Sequence, residues 1–458
     1  MAKRISKQRL SQVDSFFVAY QEDAGIWMHF GADMEVKGKV TLHDLRQAVL
    51  LFMTRFPTVA ATLKKGLFGL YWEIPEVKSE VDNKIFDQMV KEGKREDIMS
   101  WKNISIDPFI EPPFQIMFAK NKSGAILSFK VHHSVSDGEF FSNIVYDVFE
   151  SLSLILAKEN IPMPEPVPLQ SLFKVLAKDF SALKWRKWKS FYSYLNFLKQ
   201  NSDSKEHCRI KLEQIEAGDI NNVSSILDSK SYNKLKNAND LVKLNMSFVY
   251  AAAWILTIEK WNKEKGERDI SLEIPVSLRK NKQRGTGNFI SPLTIFKNHK
   301  QGLLPISREI RKQVIKGIKR QDHLAVPFFT FVGKYIPWFL YKKIAITPGS
   351  TGFATSHFTA LKQSRNIYNT VEKLSKKQLE LKSIQIYTPV CLHMGAALFV
   401  NEYVGHPPQF YITYRETGFS KQGAKRFMDI FQKEVQLYFD GLSLTSKKNT
   451  RYKKKNYK

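Results

Sequence analysis

The sequence predicts an α/β protein in two halves, and three observations carry that expectation. Residues 125–158, AILSFKVHHSVSDGEFFSNIVYDVFESLSLILAK, switch from a strand pattern to a helix pattern within a few positions. A second succession of strand-like and helix-like runs begins near His207 and lasts to about residue 445. Between the two, Pro162, Pro164, Pro166 and Pro168 stand on alternate positions, a spacing that favours an extended connector and blocks helix. With 458 residues, 43% hydrophobic and 25% charged, the chain can fill one or two large cores and lacks the composition of a disordered protein. The expected units are residues 1–168, a connecting helix over 169–206, a second half over 207–445 and a basic tail over 446–458.

The first half reads in order as follows. Residues 1–24 are polar, with Leu10, Val13, Phe16 and Phe17 as the first packing positions. Residues 26–34 suit a strand, and residues 41–56 a helix in which Leu42, Leu45, Val49 and Phe52 recur at three or four and Thr41 can cap. An Arg55-Phe-Pro57 turn leads to a hairpin, and the charged residues 78–105 suit a surface helix and loop. Residues 114–119 form a strand joined by a turn at 121–124 to the strand of the 125–158 segment.

In that segment Ile126, Leu127, Phe129 and Val131 suit a buried strand, and from Phe140 the apolar positions recur at helical spacing. His132, His133, Asp137 and Gly138 therefore sit at a strand-to-helix corner, where sheet edges expose polar side chains. Part of the pattern is explained by capping, because Ser136 and Glu139 fit a capping box and Asp137 can itself be the N-cap. Capping requires neither histidine. A neutral imidazole that titrates near ambient pH can take up and release a proton, which with the corner position makes the pair a candidate site.

Between the halves lies a basic, aromatic segment, SALKWRKWKSFYSYLNFLK over 181–199. Its Trp185, Trp188, Tyr192, Leu195 and Leu198 can share a helical face ringed by Lys184, Arg186, Lys187 and Lys189. That face fits either an interdomain helix with snorkelling lysines or a membrane-surface anchor. A strand from His207, a helix over the 231–242 region and an apolar core helix over 247–261 follow. Residues 270–296 hold a strand ending in Pro275, Val276 and Arg279, then Gly287, Asn288 and Phe289. Residues 351–362 suit a strand, residues 385–405 and 409–418 two paired strands, and residues 420–439 the closing helix. His393 and His406 read as structural, and the tail SKKNTRYKKKNYK as a solvated, disordered run.

Composition narrows the function classes. The net charge of +27 favours an anionic partner: coenzyme A phosphates, an acidic carrier protein, anionic lipid or nucleic acid. Cys208 and Cys391 are the only cysteines, which excludes a disulfide framework and fits a reducing compartment. There is no metal-ligand spacing, Gly-rich phosphate loop or nucleophile elbow, so no metal or bound cofactor is expected. The first residues lack the apolar run of a signal peptide, and the longest apolar stretch, 324–341, is broken by Pro327, Lys334 and Pro337. A cytoplasmic protein follows, with peripheral contact at the inner membrane surface left open.

VHHSVSDG resembles the HHxxxDG signature of the chloramphenicol acetyltransferase-like superfamily, which includes condensation domains, wax ester synthases and alcohol acetyltransferases. The order of elements is similar, and Pro-Val-x-x-Arg followed by Gly-Asn-Phe resembles the wax ester synthase and condensation pattern. The resemblance implies two subdomains, each a mixed sheet with flanking helices, and a tunnel between them. It implies acyl transfer from acyl-CoA or an acyl carrier protein to a hydroxyl or amine, with no acyl-enzyme. The motif residues His132, His133, Asp137 and Gly138 would form the catalytic set, with His133 as base. Asp137 would organise the site and pair with Arg279 across the halves; Gly138 would allow a turn that a Cβ opposes. Thr355, Ser356 or Asn288 would line the tunnel or donate to the oxyanion. The Asp-Phe-Gly-Trp-Gly motif of plant acyl-CoA transferases is absent, and the later condensation motifs are poor or missing. Alternatives to an O-acyltransferase are an amide-forming condensation enzyme, a catalytically silent binding module, or a basic protein that binds membrane or nucleic acid; nucleic acid is the partner least expected.

Overall fold

A computed structural model describes residues 6–24, 27–75, 83–167, 192, 196, 209–213, 218–263, 270–279, 286–297, 302–324, 335–343, 356–363, 366–390 and 395–455. The expected connecting helix over 169–206 lies almost wholly outside these residues, as do Thr355, Cys208, Cys391 and His393. Two large mixed sheets, each with its own core, form the two halves, and a three-stranded sheet flanks the first.

The first sheet has five strands in the order Leu379–Tyr387, His29–Gly38, Gly124–His132, Phe114–Lys120 and Val90–Gly93. Alternation along these strands sorts their side chains onto two faces. Phe30, Ala32, Met34, Phe129 and Val131 face a core shared with the helices Leu42–Arg55 and Gly138–Leu156. The first of these helices begins at Thr41, whose hydroxyl and Asp44 form the two arms of a capping box.

The second sheet has six strands in the order Ile290–Lys297, Ile270–Ser277, Ser356–Gln363, Ala396–Tyr403, Gln409–Arg415 and Ile220–Ile226. One face, with Leu272, Phe358, Leu398, Val400 and Ile412, packs on the helices Met246–Asn262, Leu303–Arg320 and Lys421–Lys455. Its other face turns to the first half: Phe399, Tyr403 and Tyr411 join the first core, and Gln363 Nε2 donates to Ser142 Oγ on the helix Gly138–Leu156 at 2.7 Å. Where the resemblance implies a tunnel, the described part of this seam holds a partly open cavity of about 20 Å³, lined by Met34, Phe141, Val145, Ile386, Asn401 and Tyr403 among others. That is room for about one water molecule.

Three expectations give way here. Residues 385–405 do not form one strand: Leu379–Tyr387 crosses to the edge of the first sheet, and only Ala396–Tyr403 pairs with Gln409–Arg415. The second half as divided by sequence thus lends a strand, and the helix Ile367–Leu374 before it, to the first core. No strand forms among residues 209–213; the outer strand is Ile220–Ile226, a polar run whose burial alternates only weakly. The closing helix continues through Lys455, so residues 446–455 extend it as backbone helix. No helix among the described residues is long and apolar enough to cross a membrane.

The crossing strand fits because Gly31 has no side chain. A Cβ there would lie 1.8 Å from the Phe129 carbonyl oxygen and 2.6 Å from the Tyr387 hydroxyl, which donates to that carbonyl at 2.9 Å. Gly31→Ala is therefore expected to force the sheet apart and lower Tm by several degrees, while Tyr387→Phe, which loses a single hydrogen bond, costs about 1 kcal/mol. Thermal unfolding of both variants checks the order.

Candidate active site

The corner between the strand Gly124–His132 and the helix Gly138–Leu156 is organised by Asp137. Its backbone is extended, and its carboxylate accepts from Phe140 N–H, one of the free donors in the helix's first turn, at 2.7 Å. Its second oxygen accepts from Arg279 Nη2 at 2.8 Å and from Phe289 N–H at 2.8 Å, both on the second half. Asp137 is fully buried and the Arg279 side chain only 2% exposed, so this is an interior ion pair. Arg279 also donates to the Gly287 carbonyl at 2.9 Å and lies over the Phe289 ring. The Asp137–Arg279 pair that the resemblance implies is thus present.

Residues 286–289 thread from the second half into the first. Gly287 N–H donates to the Val135 carbonyl at 2.8 Å, Ser136 and Gly287 form a parallel bridge, and Thr58 donates to Thr286 at 3.0 Å. Gly287 has φ +101°, a conformation that excludes a side chain. Gly138 has no such need: a Cβ there would meet nothing nearer than Phe399 at 3.9 Å. The turn's requirement for glycine falls on Gly287, contrary to the expectation for Gly138.

Asn288, expected near the oxyanion or the tunnel, instead clamps His133. Its amide nitrogen donates to Asp14 Oδ1 at 2.7 Å and to the His133 carbonyl, so its oxygen must face the ring. That oxygen lies 2.9 Å from His133 Nδ1. Nδ1 therefore carries the proton, and Nε2 keeps its lone pair and has no protein partner among the described residues. Phe17 stacks on the ring at 3.9 Å and 5°, and Phe30 closes on it at 4.8 Å. The residue is only partly exposed, and burial holds its pKa down to about 4, against the hydrogen bond to Asn288 and the charge of Asp137. The ring is neutral at pH 7.

His132 points the other way. It is fully buried, its Nδ1 accepts from Ser134 N–H at 3.0 Å, and its Nε2 finds no partner among the described residues. It stands directly opposite His29 across the strands, in a polar layer with Ser128, Lys130, Asp33 and Lys102. Burial depresses its pKa far below the ordinary value. Strand alternation thus separates the two histidines that the motif sets side by side, and His132 holds the turn instead of facing His133's open nitrogen.

Ser356 likewise faces inward, accepting from Trp254 Nε1 at 2.6 Å inside the second core. An oxyanion role for it is not what this placement provides. The next residue, His357, turns to the seam: its Nε2 lies 2.9 Å from Thr359 Oγ1 and its Nδ1 3.8 Å from Glu273 Oε1. The first turn of the helix Gly138–Leu156 straddles this strand, since Glu139 accepts from Ser277 Oγ on one neighbour at 2.8 Å and Gly138 lies near Phe399 on the other. His357 is close enough for its charge to bear on His133.

As site residues, Asp14, Phe17, Glu273 and His357 escape the reading of the sequence, in which Phe17 is a packing position. Only Asp14 leaves a local trace, the Ser-x-x-Asp spacing with Ser11, whose hydroxyl caps the helix Gln12–Ala24. Burial pushes Asp14 up to about 6, from an ordinary 3.8, against its hydrogen bonds from Ser11 and Asn288.

The solved structures this chain is similar to share its fold at low sequence identity. The first condensation domain of the calcium-dependent antibiotic synthetase, in complex with a substrate analogue, matches with TM-score 0.68 at 12% identity over 95% of this chain and 97% of that one. The starter condensation domain of rhizomide synthetase, as a doubly substituted mutant in complex with C8-CoA and Leu-SNAC, matches with TM-score 0.67 at 12% identity over 95% and 94%. Polyketide synthase associated protein 5 from Mycobacterium tuberculosis matches with TM-score 0.65 at 13% identity over 95% and 99%. No protein-family model matches the chain, and no curated protein matches it by sequence. The fold is the two-subdomain, chloramphenicol acetyltransferase-like architecture of condensation domains.

Two outcomes follow from the buried charges. Arg279→Ala leaves the Asp137 carboxylate buried without its cation and should cost about 3–5 kcal/mol in urea unfolding. Asp14 binds its proton more tightly folded than unfolded, so its ionised form opposes folding; this cost is absent below about pH 4 and complete above about pH 6, on the order of 3 kcal/mol. Asp14→Asn should therefore be more stable than wild type above pH 6, with the gap closing toward pH 4.

Proposed function

We propose that the protein transfers an acyl group from a thioester to a hydroxyl or amine acceptor, with His133 as general base. The observation that carries this reading is the clamp at Nδ1: Asn288, held in turn by Asp14, fixes the tautomer that leaves Nε2 as a free lone pair at the seam of the halves. His133 Nε2 takes the acceptor's proton as the acceptor oxygen or nitrogen attacks the thioester carbonyl. The tetrahedral intermediate collapses with cleavage of the C–S bond, and the proton on Nε2 passes to the departing thiolate. Ester or amide and free thiol result, with no acyl-enzyme.

A thioester donor is supported by the rhizomide synthetase domain of the same fold, which binds C8-CoA and Leu-SNAC. The charge of +27 suits the phosphates of coenzyme A or an acidic carrier protein. Glu273 and His357, on the seam face of the second sheet, suit the acceptor's side, where a carboxylate repels phosphates. Asp137 acts at one remove, holding the corner that carries His133.

The test is thiol release from acyl-CoA and acyl-pantetheine thioesters with alcohol and amine acceptors. His133→Ala should lower turnover by about a hundredfold or more while circular dichroism shows the fold retained. For the wild type, kcat/KM should stay level from pH 8 to about 6 and fall between 6 and 4, as Asp14 and then His133 take up protons. Full activity in the alanine variant overturns the assignment, and a single inflection at 6.5 overturns the buried, clamped base.

A further inference from the structure

Among the described residues, a cluster of exposed apolar side chains lies where the hairpin of Thr62–Gly66 and Gly69–Ile74 meets residues 335–343. Leu67 is 69% exposed at the hairpin tip and Phe68 46%; Tyr335, Phe339 and Leu340 are 65%, 60% and 43% exposed. The two elements form one surface, because Trp338 N–H donates to the Leu67 carbonyl at 3.0 Å and Glu22 pairs with both Lys65 and Lys342. The tip is also tied down from the strand Ser6–Arg9, whose Arg9 donates to the Phe68 carbonyl. A soluble surface seldom gathers so many large apolar side chains in one place without a use.

The charges around this knob are one-sided. Residues 6–9, 62–74 and 335–343 carry Lys7, Arg9, Lys64, Lys65, Lys342 and Lys343 and one acid, Glu73. Glu22, from the adjoining helix, pairs with Lys65 and Lys342, Asp107 lies beyond Phe109 beneath Lys65, and Lys7, Lys64 and Lys65 keep more than half of their side-chain surface exposed while paired. Apolar side chains projecting from a ring of cations are matched by a surface that is anionic outside and hydrocarbon within. The opposite side of residues 338–343 is buried: Trp338 and Tyr341 join the first core, and Tyr341 lies close enough to Asp14 to feel its charge.

We propose that Leu67, Phe68, Tyr335, Phe339 and Leu340 form a docking surface that seats this protein on an anionic phospholipid bilayer, with the surrounding lysines and Arg9 over the headgroups. The site then lies just behind the docked face, and apolar substrates held in the bilayer reach it from that side. This inference stands apart from the acyl-transfer reading, since it concerns where the molecule sits.

Flotation of the full chain with vesicles of phosphatidylcholine alone, or with a third of the lipid replaced by phosphatidylglycerol, tests it. Binding is expected to the anionic vesicles only and to weaken when NaCl is raised from 0.1 to 0.5 M. The double variant Phe68→Ser, Phe339→Ser should lose roughly tenfold in vesicle affinity, and Lys64→Glu, Lys65→Glu should lose binding with a flatter salt response. Circular dichroism and Tm unchanged in both variants show that the exposed positions leave the fold intact. Equal binding of the wild type and the double variant overturns the proposal. So does absence of vesicle binding with a dimer in sedimentation that the double variant abolishes, which assigns the face to a second copy.

Discussion

The Asp137 carboxylate is the constraint on which the rest depends. An ionised carboxylate removed from water must be met by donors on every side, and this one is met from three pieces of chain: its own helix, the Arg279 guanidinium and the Phe289 amide. Two of these belong to the second half, so the site corner cannot close until the halves meet. Once they do, residues 286–289 are drawn against Val135 and Ser136, and Asn288 arrives beside His133. The ion pair performs no proton transfer; it decides where the base stands.

Base and carboxylate divide their tasks through their surroundings. Asp137 keeps a full set of donors, while His133 sits between Phe17 and Phe30 with little beyond Asn288 to stabilise a charge. A neutral imidazole with one nitrogen committed and the other open can collect a proton and give it up within a turnover. Asp14 sits outside this exchange and orients Asn288 at a cost in stability, since its carboxylate is buried and the neutral groups of Ser11 and Asn288 supply its hydrogen bonds. Groups that oppose folding and orient a reactive side chain are expected at a site and seldom elsewhere.

The seam between the halves is continuous with both cores. The crossing strand Leu379–Tyr387 completes the first sheet from the second half of the chain, and Phe399, Tyr403 and Tyr411 pack into the first core from the second sheet. Separation of the halves would expose an apolar face and an unpaired charge together.

The sequence by itself determined the α/β class, the strand-to-helix corner and Asp137 as N-cap, because these depend on local periodicity and capping chemistry between near neighbours, whereas His133 as the candidate base came from resemblance. It also pointed to the partnership of Asp137 with Arg279, through resemblance and not through spacing. Only the tertiary structure decided that His132 faces a buried polar layer, that Ser356 serves the second core, that Gly287 and not Gly138 needs its missing side chain, and that Asn288 and Asp14 fix the tautomer of His133. Each of these turns on which face of a strand a residue occupies or on a contact across more than a hundred residues of chain. Local pattern carries no information about the first until register is set, and none about the second until the halves are packed.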